Sequence, residues 1–225
     1  MITPKGLVMN SCFEIVSGYA EEFRSIISKD SALLPVHQYP WRTDTWTNET
    51  FSRAHVQEFT SPSISVLHVT IFPHLKDPSP IYGFDVITGA RKPSSCYIDL
   101  SPTVQSWDNW PSWLELDPVF PNRKEIPEWG TCFSNEFMAI ALNDEVELAS
   151  ALGAGIELLK FYLVKLHINQ MMRNTWNEDE VYRAQFSYCE QQRQNSKTTA
   201  ILQRMIGEEQ ANYYVNHVLF PDPKD

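Results

Sequence analysis

Two short segments with the composition of β-strands flank a loop rich in turn-forming residues, and they constrain the fold more than any other feature. Residues 63–72 and 81–88 are rich in β-branched and aromatic side chains, and the loop 73–80 contains three prolines. This pattern predicts a β-hairpin. If the hairpin closes evenly around the loop, Phe72 lies opposite Ile81, and the register of every other pair follows.

That register places a histidine directly opposite an aspartate. His68 then pairs with Asp85, and their Cβ atoms lie roughly 5 Å apart on one face of the sheet. Thr70 and Gly83 are predicted neighbours on this face. A titratable pair among small and apolar side chains is a candidate proton-transfer site. The alternative is a structural ion pair that serves packing, and sequence reasoning without further context favours this alternative.

Composition narrows the class of protein. A chain of 225 residues without an evident linker predicts one domain over residues 1–225. The net charge of −10 argues against nucleic-acid binding. The sequence contains no run of about 18 apolar residues and no charged start followed by an apolar stretch, so it predicts neither a membrane span nor a signal peptide.

The motifs of several enzyme classes are absent from the sequence. There is no CxxC or HxxxH spacing, no glycine-rich phosphate loop and no nucleophile elbow. These absences argue against a resident metal, against a bound nucleotide or flavin, and against an unrelated α/β hydrolase. The cysteines lie far apart, which predicts a reduced, cytoplasmic protein; they are Cys12, Cys96, Cys132 and Cys189.

Helical patterns lie at the two ends of the chain. Apolar spacing predicts a helix over 11–28 with Ser11 as its cap. A second helix begins after Asn143, and its predicted buried stripe is Val146, Ala149, Leu152, Ile156, Leu159, Leu163 and Leu166. Further helices are predicted over 178–192, 198–206 and 208–219, the last two divided at Gly207.

Strand patterns occupy the middle of the chain. Predicted strands cover 42–48, 52–59, 64–72, 81–88, 94–100 and 132–140. The short connections between them favour an antiparallel meander, because parallel strands need long crossovers. Residues 101–130 form a segment rich in tryptophan and proline, with one short helical turn predicted near 111–116. We expect an α/β fold in which one sheet is flanked by helices.

Several motifs, in this order along the chain, resemble the ferredoxin-dependent bilin reductases, and within them the phycocyanobilin:ferredoxin oxidoreductase branch. The motifs are VLHVTIFP (66–73), PIYGFDV (80–86), YIDLSPT (97–103), EIPEWG (125–130), QQRQNSKT (191–198) and GEEQANYYVNHVLF (207–220). The resemblance covers roughly residues 50–220.

The resemblance implies a three-layer α/β/α sandwich around a central antiparallel sheet. It implies an oxidoreductase that holds biliverdin IXα between the sheet and the C-terminal helices and that binds no flavin or metal. Electrons would come one at a time from a reduced [2Fe-2S] ferredoxin, a transient partner, and we expect a monomer. Ferredoxins are acidic, so docking needs a local basic surface; the candidate cations are Lys76, Arg91, Lys92, Arg193, Lys197 and Arg204.

The resemblance also assigns catalytic roles. His68 and Asp85 match the catalytic histidine and aspartate of the family, so Asp85 would donate a proton to the bilin. His68 would hydrogen-bond the carbonyl edge of the bilin and relay protons, which suits an imidazole near neutral pH. His55 matches a second histidine of the proton network. The alternative for His55 is a buried strand histidine that only satisfies its own hydrogen bonds.

Substrate-binding residues follow from the same resemblance. Lys124 lies where the family has an arginine that grips a propionate, and lysine keeps the charge without the bidentate fork. Lys197 is a second propionate candidate, and Asn195 and Ser196 match the helix start near the bilin. Thr70 completes this predicted set as a neighbour of the histidine–aspartate pair.

Two departures from the family pattern bear on the product. The phycocyanobilin-forming members carry a glutamate that protonates the outer vinyl group, and this chain has Gln57 there, which cannot act as an acid. Ser196 replaces an aspartate of those members. These departures favour reduction to phycoerythrobilin through 15,16-dihydrobiliverdin. The alternatives are phycocyanobilin formation and an inactive bilin-binding carrier.

Overall fold

A single antiparallel sheet lies at the centre of the computed structural model, which describes residues 11–35, 38–104, 120, 124–125, 128, 130–172 and 176–224. Within these residues, seven strands follow one another in sequence order as a meander. They are β1 Ala32–Leu33, β2 Arg42–Thr47, β3 Phe51–Thr60, β4 Ser65–Pro73, β5 Ile81–Thr88, β6 Pro93–Ser101 and β7 Met138–Ala141.

The predicted strands are confirmed with two differences. Strand β1, a two-residue pairing with β2, was not predicted. Strand β7 begins at Met138 rather than at residue 132, because the chain over 131–136 makes turns. Ser134 in that segment hydrogen-bonds the carboxylate of Asp99, so it is held in a turn instead of extending along β6. The helical turn predicted near 111–116 lies outside the described residues.

Five α-helices of the described chain flank the sheet. They are α1 Cys12–Ser28, α2 Glu145–Met172, α3 Glu178–Gln192, α4 Ser196–Ile206 and α5 Glu208–Tyr214, and α5 continues as a π-helical turn, Val215–Leu219. Ser11 caps α1 in a capping box with Glu14, as the sequence predicted for the cap. Gly207 separates α4 from α5 with a φ of 82°, a conformation that favours glycine.

The helices form two layers, one on each face of the sheet. Helices α1 and α2 contact each other and β3 to β6, and they bury the side chains of residues such as Leu67, Val69 and Phe84. Helices α3 to α5 and the π-helical turn cover the opposite face through Phe59, Phe72 and their neighbours. The three-layer α/β/α sandwich with a central antiparallel sheet is therefore confirmed.

The buried face of α2 differs from the predicted stripe at its start. Val146 is 74% exposed, whereas Leu148 is fully buried. Leu148, Leu152 and Ile156 continue one face at a spacing of four, and a residue two positions earlier points to nearly the opposite side of a helix. None of the helices in the described residues is long and apolar enough to cross a lipid bilayer.

Helix α2 lies close against β5 at Gly155. A Cβ atom there would lie 2.3 Å from the ring of Phe84, which is fully buried and packs on Phe23. Tyr82 also donates a hydrogen bond to the Gly155 carbonyl at 2.9 Å. Glycine is therefore required at this helix–sheet contact.

We expect Gly155→Ala to destabilise the fold by about 1–3 kcal/mol, since the methyl group must displace a packed ring. Gly18→Ala is the matched control, because nothing lies within 4 Å of a Cβ at that position in α1. It should be neutral or stabilising by about 0.5–1 kcal/mol. Urea denaturation of both variants tests this, and equal effects would contradict the close-approach account.

Candidate functional site

The sheet face under α3 to α5 carries two rows of polar side chains that cross the strands. The first row runs through directly paired residues Gln57, His68, Asp85 and Tyr97 on β3 to β6. The second runs through Thr45, His55, Thr70, Gly83 and Asp99 on β2 to β6. Residues two apart on a strand share a face, so the rows lie side by side.

His68 and Asp85 are directly opposed, which confirms the predicted hairpin register. The Nδ1 atom of His68 lies 2.7 Å from Oδ1 of Asp85. His68 is 8% exposed, whereas 38% of the Asp85 side chain is exposed. A carboxylate accepts a hydrogen bond from Nδ1–H and so fixes which ring nitrogen carries the proton. Asp85 therefore orients the imidazole from the more accessible side of the pair.

The second ring nitrogen of His68 has no hydrogen-bond partner among the described residues, although it is buried. The ring of Phe220, from the segment after the π-helical turn, meets the imidazole edge-on at 5.6 Å between centroids. Buried polar atoms are normally hydrogen-bonded, and exceptions concentrate at functional sites. This Nε2 atom is thus available to a ligand group or to a transferred proton.

His55 is fully buried beside His68, with the two ring centroids 6.1 Å apart. Its Nδ1 atom lies 2.9 Å from the Thr45 hydroxyl, and its Nε2 atom lies 3.4 Å from the Thr43 hydroxyl. Burial lowers the pKa of His55 well below its usual value, and the charge of Arg53 lowers it further. His55 is therefore neutral at physiological pH and is held by threonines.

Thr70 and Gly83 occupy the middle of the second row. The Thr70 hydroxyl is buried and has no hydrogen-bond partner among the described residues. The hydroxyl of Tyr188, on α3, lies 3.5 Å from the position that a Cβ at Gly83 would take. Burial raises the pKa of Tyr188 well above its usual value, so the phenol stays protonated. The face thus presents neutral hydroxyl groups beside the His68–Asp85 pair.

Gln57 lies opposite His68 and next to a tyrosine of α5. The Tyr214 hydroxyl donates to the Gln57 side-chain oxygen at 2.6 Å, and the Trp41 indole donates to the Tyr214 oxygen at 3.0 Å. Sequence reasoning identified Gln57 and missed Tyr214, because the contact joins residues 157 positions apart. The neighbouring Glu58 pairs with Arg24 on the other face, as strand alternation predicts.

Asp99 is a second buried carboxyl group on this face. It accepts hydrogen bonds from Ser101 and Ser134. Burial raises the pKa of Asp99 to about 6, although these hydrogen bonds oppose the shift. Asp99 was not among the predicted site residues. It lies two positions after Tyr97 on β6, and this spacing, which puts both on one face, is the signal that could have identified it.

Four predicted substrate-binding residues lie outside the sheet: Lys124, and Asn195, Ser196 and Lys197 at the start of α4. Lys124 and Lys197 are both exposed, and the pKa of Lys124 is lowered by burial and then by the charge of Lys197. Asn195 caps α4, because its side chain accepts from the backbone of Lys197 and Thr198. Ser196 is exposed at the first position of α4. The two lysines are therefore close enough to interact and could bind an anion together.

The cations proposed for docking differ in whether they already make hydrogen bonds or ion pairs within the protein. Arg193 is engaged, since it donates to the Phe220 carbonyl at 2.7 and 2.9 Å and pairs with Asp222 at 2.6 Å. Lys76 lies 3.8 Å from Glu178. The remaining candidates are exposed; they are Arg91, Lys92, Lys197 and Arg204. Arg193 thus holds the segment that places Phe220 over His68.

The described residues offer no group of three or more side chains that could hold a metal ion. The cysteines are all free thiols in this part of the chain, and three of the four are buried.

Comparison with known proteins identifies the family of this chain. The sequence model of the family described as ferredoxin-dependent bilin reductase matches residues 19–221. A phycocyanobilin:ferredoxin oxidoreductase of Trichodesmium erythraeum is 30% identical over 77% of this chain and 73% of its own length. The enzyme of the same description from Gloeobacter violaceus is 30% identical over 80% of this chain and 73% of its own length.

Two solved structures share the fold. The structure of PcyX superimposes with a TM-score of 0.65 at 21% identity, and the match covers 93% of this chain and 99% of that one. Phytochromobilin synthase from tomato, solved in complex with biliverdin, gives a TM-score of 0.70 at 16% identity over 92% of this chain and 82% of that one. Sequence and fold together establish that this chain belongs to the ferredoxin-dependent bilin reductases, a family of oxidoreductases.

Proposed function

We propose that this protein reduces biliverdin IXα to phycoerythrobilin through 15,16-dihydrobiliverdin, with electrons from reduced [2Fe-2S] ferredoxin. The overall change adds four electrons and four protons to the tetrapyrrole in two steps. The observation that carries the proposal is the His68–Asp85 pair, whose Nε2 atom has no partner in the part of the chain that the structure describes, on the face under α3 to α5.

Asp85 is the proton donor in this proposal: its carboxyl group carries the proton on the oxygen that does not accept from His68, and its partly exposed side chain can be reprotonated from solvent. His68 donates from Nε2 to the carbonyl edge of the bound bilin while Asp85 accepts from Nδ1–H. In the doubly protonated imidazole both ring nitrogens are donors, so this form carries the proton that the relay delivers. His55, neutral and held by threonines, fixes the environment of His68 and joins the proton network through its hydrogen bonds.

The two exposed lysines, Lys124 and Lys197, bind the propionates in this proposal. Burial lowers the pKa of Lys124, and the charge of Lys197 lowers it further. An anion between the two lysines would offset the repulsion between them. Asn195 and Ser196 shape the start of α4 beside them, and Thr70 offers its unpartnered hydroxyl to the ligand.

Gln57 favours phycoerythrobilin over phycocyanobilin, because a carboxamide cannot protonate the outer vinyl group. Phycocyanobilin is the second candidate product, and the names of the relatives favour it. A bilin-binding carrier without catalysis is the third, and retention of both His68 and Asp85 speaks against it. Both a carrier and a reductase would bind biliverdin, but only the reductase changes colour when reduced ferredoxin is added.

We expect anaerobic turnover with biliverdin and reduced ferredoxin to yield phycoerythrobilin, identified by absorbance and chromatography. Gln57→Glu should shift the product toward phycocyanobilin, because burial keeps such a carboxyl group protonated and able to act as an acid. Gln170→Glu, on the exposed side of α2, is the control and should leave the product unchanged. Phycocyanobilin from the unaltered protein would contradict the role given to Gln57.

We expect Asp85→Asn to lower the rate of reduction by about 100-fold or more while biliverdin still binds, since an amide cannot replace a general acid. Asp179→Asn, on the exposed first turn of α3, makes the same substitution outside the candidate site and should have no effect. Stopped-flow absorbance under anaerobic conditions measures both rates. Undiminished reduction by Asp85→Asn would remove Asp85 from the mechanism.

We expect turnover at limiting ferredoxin to fall as salt is raised from about 0.01 to 0.5 M, because screening weakens attraction between the acidic donor and the exposed cations of this chain. Biliverdin affinity measured at the same salt concentrations separates substrate binding from docking. A rate that is flat across this range would argue against electrostatic docking.

A further inference from the structure

The orientation of the Gln57 carboxamide decides whether a ligand beside His68 finds a hydrogen-bond donor or an acceptor. It lies directly opposite His68 in the β3–β4 pairing, and it is buried on the face under α5. A carboxamide has one end that only accepts hydrogen bonds and one end that only donates them. The contact that fixes this orientation therefore fixes the recognition chemistry beside His68.

The contact with Tyr214 assigns the two ends. The Trp41 indole can only donate, so the Tyr214 oxygen accepts from it at 3.0 Å. The single phenolic proton then goes to the Gln57 oxygen at 2.6 Å, in preference to the Thr43 hydroxyl at 3.4 Å. The reverse amide orientation would place two donors on one phenol oxygen and leave the phenolic proton only the longer contact.

The Tyr214 ring is held in place by its neighbours. It meets Tyr39 and Trp41 edge-on, at 4.4 and 5.0 Å between ring centroids. Edge-to-face packing of this kind restricts a ring to one position. Burial raises the pKa of Tyr214 to about 12, so the phenol keeps its proton at physiological pH. The donor to Gln57 is therefore both fixed and permanent.

The Gln57 nitrogen is the end that remains. It points away from the Gln57 oxygen, which accepts from Tyr214. It has no hydrogen-bond partner among the residues that the structure describes. In the same row, the Nε2 atom of His68 is also without a partner there. Two nitrogens on adjacent strands are thus available to polar groups of one ligand, and the Gln57 nitrogen can only donate.

We propose that Tyr214 is a positioning residue that locks the Gln57 carboxamide with its NH₂ group toward the substrate, so that Gln57 donates a hydrogen bond to a lactam oxygen or ring nitrogen of the tetrapyrrole. This inference rests on the proposed function. In this inference Gln57 binds the substrate directly, in addition to lacking the acidic proton that phycocyanobilin formation needs. No covalent step is added, because an amide N–H donates a hydrogen bond without releasing its proton.

The test is a double-mutant cycle on biliverdin affinity, measured without ferredoxin so that catalysis does not enter. Tyr214→Phe keeps the ring and removes the donor, and it should weaken binding by about fivefold, the size of one hydrogen bond. In a Gln57→Met background, which has no amide to orient, the same change should weaken binding by less than about twofold. Tyr213→Phe, at the exposed neighbouring position, should change affinity in neither background.

Side-chain amide NMR of Gln57 supplies a readout that does not depend on the substrate. In the ligand-free protein, Tyr214→Phe should shift or broaden the Gln57 NH₂ resonances, and Tyr213→Phe should not. In the unaltered protein, adding biliverdin should shift these resonances as the NH₂ group gains an acceptor.

The outcomes separate the possibilities. Equal losses of affinity in both backgrounds mean that Tyr214 only supports the fold, and they overturn the proposal, as does no loss in either. Unchanged Gln57 amide resonances in ligand-free Tyr214→Phe also overturn it. If the unaltered protein binds no biliverdin, the proposed function fails and the donor role fails with it. In that case the Gln57 NH₂ resonances of the ligand-free protein still show whether Tyr214 fixes the orientation of the Gln57 amide.

Discussion

The pairing of β4 with β5 is the constraint on which the site depends. Because side chains alternate between the two faces of a strand, only every second register places His68 and Asp85 on the same face. In the observed register they are directly opposed, and Nδ1 of His68 lies 2.7 Å from Oδ1 of Asp85. A shift of one residue would turn the imidazole into the apolar layer beneath α1 and α2. The same shift would carry Leu67 and Val69 out of that layer, so the hydrophobic core and the candidate site specify the same register.

The two helical layers cover faces of the sheet that differ in polarity. Helices α1 and α2 bury an apolar face, and Gly155 lets α2 lie directly on Phe84. Helices α3 to α5 cover a face on which histidines, threonines and carboxyl groups alternate with aromatic residues. Polar groups are costly to bury without partners, and most of those on this face have them. His68 Nε2 and the Thr70 hydroxyl are among the exceptions in the described residues, and both lie in the polar rows where the proposed ligand would bind.

The sequence predicted the features that depend on local order. The hairpin closes evenly around residues 73–80, so the opposition of His68 and Asp85 followed from strand alternation and loop composition. The caps and breaks were also local, as with Ser11 and Gly207. The motifs then supplied the family, and the match of the family sequence model over residues 19–221 confirmed it.

Features that arise from contacts between layers could not be predicted in this way. Periodicity indicates which face a residue occupies, but it does not indicate which residue from a distant helix will meet it. Tyr214 reaches Gln57, and Arg193 fixes the carbonyl of Phe220, only after the C-terminal helices have packed on the sheet. The early start predicted for β7 was wrong for a related reason, since Asp99 holds Ser134 in a turn by a tertiary hydrogen bond.

The central claim is that Asp85 orients His68 so that Nε2 is presented to a bound tetrapyrrole. The most direct measurement is the ¹⁵N NMR spectrum of the His68 imidazole before and after biliverdin is added. The account predicts a protonated Nδ1 in both states and a large change in the Nε2 shift on binding. Bound biliverdin with an unchanged Nε2 resonance, or an Nδ1 that carries no proton, would contradict it.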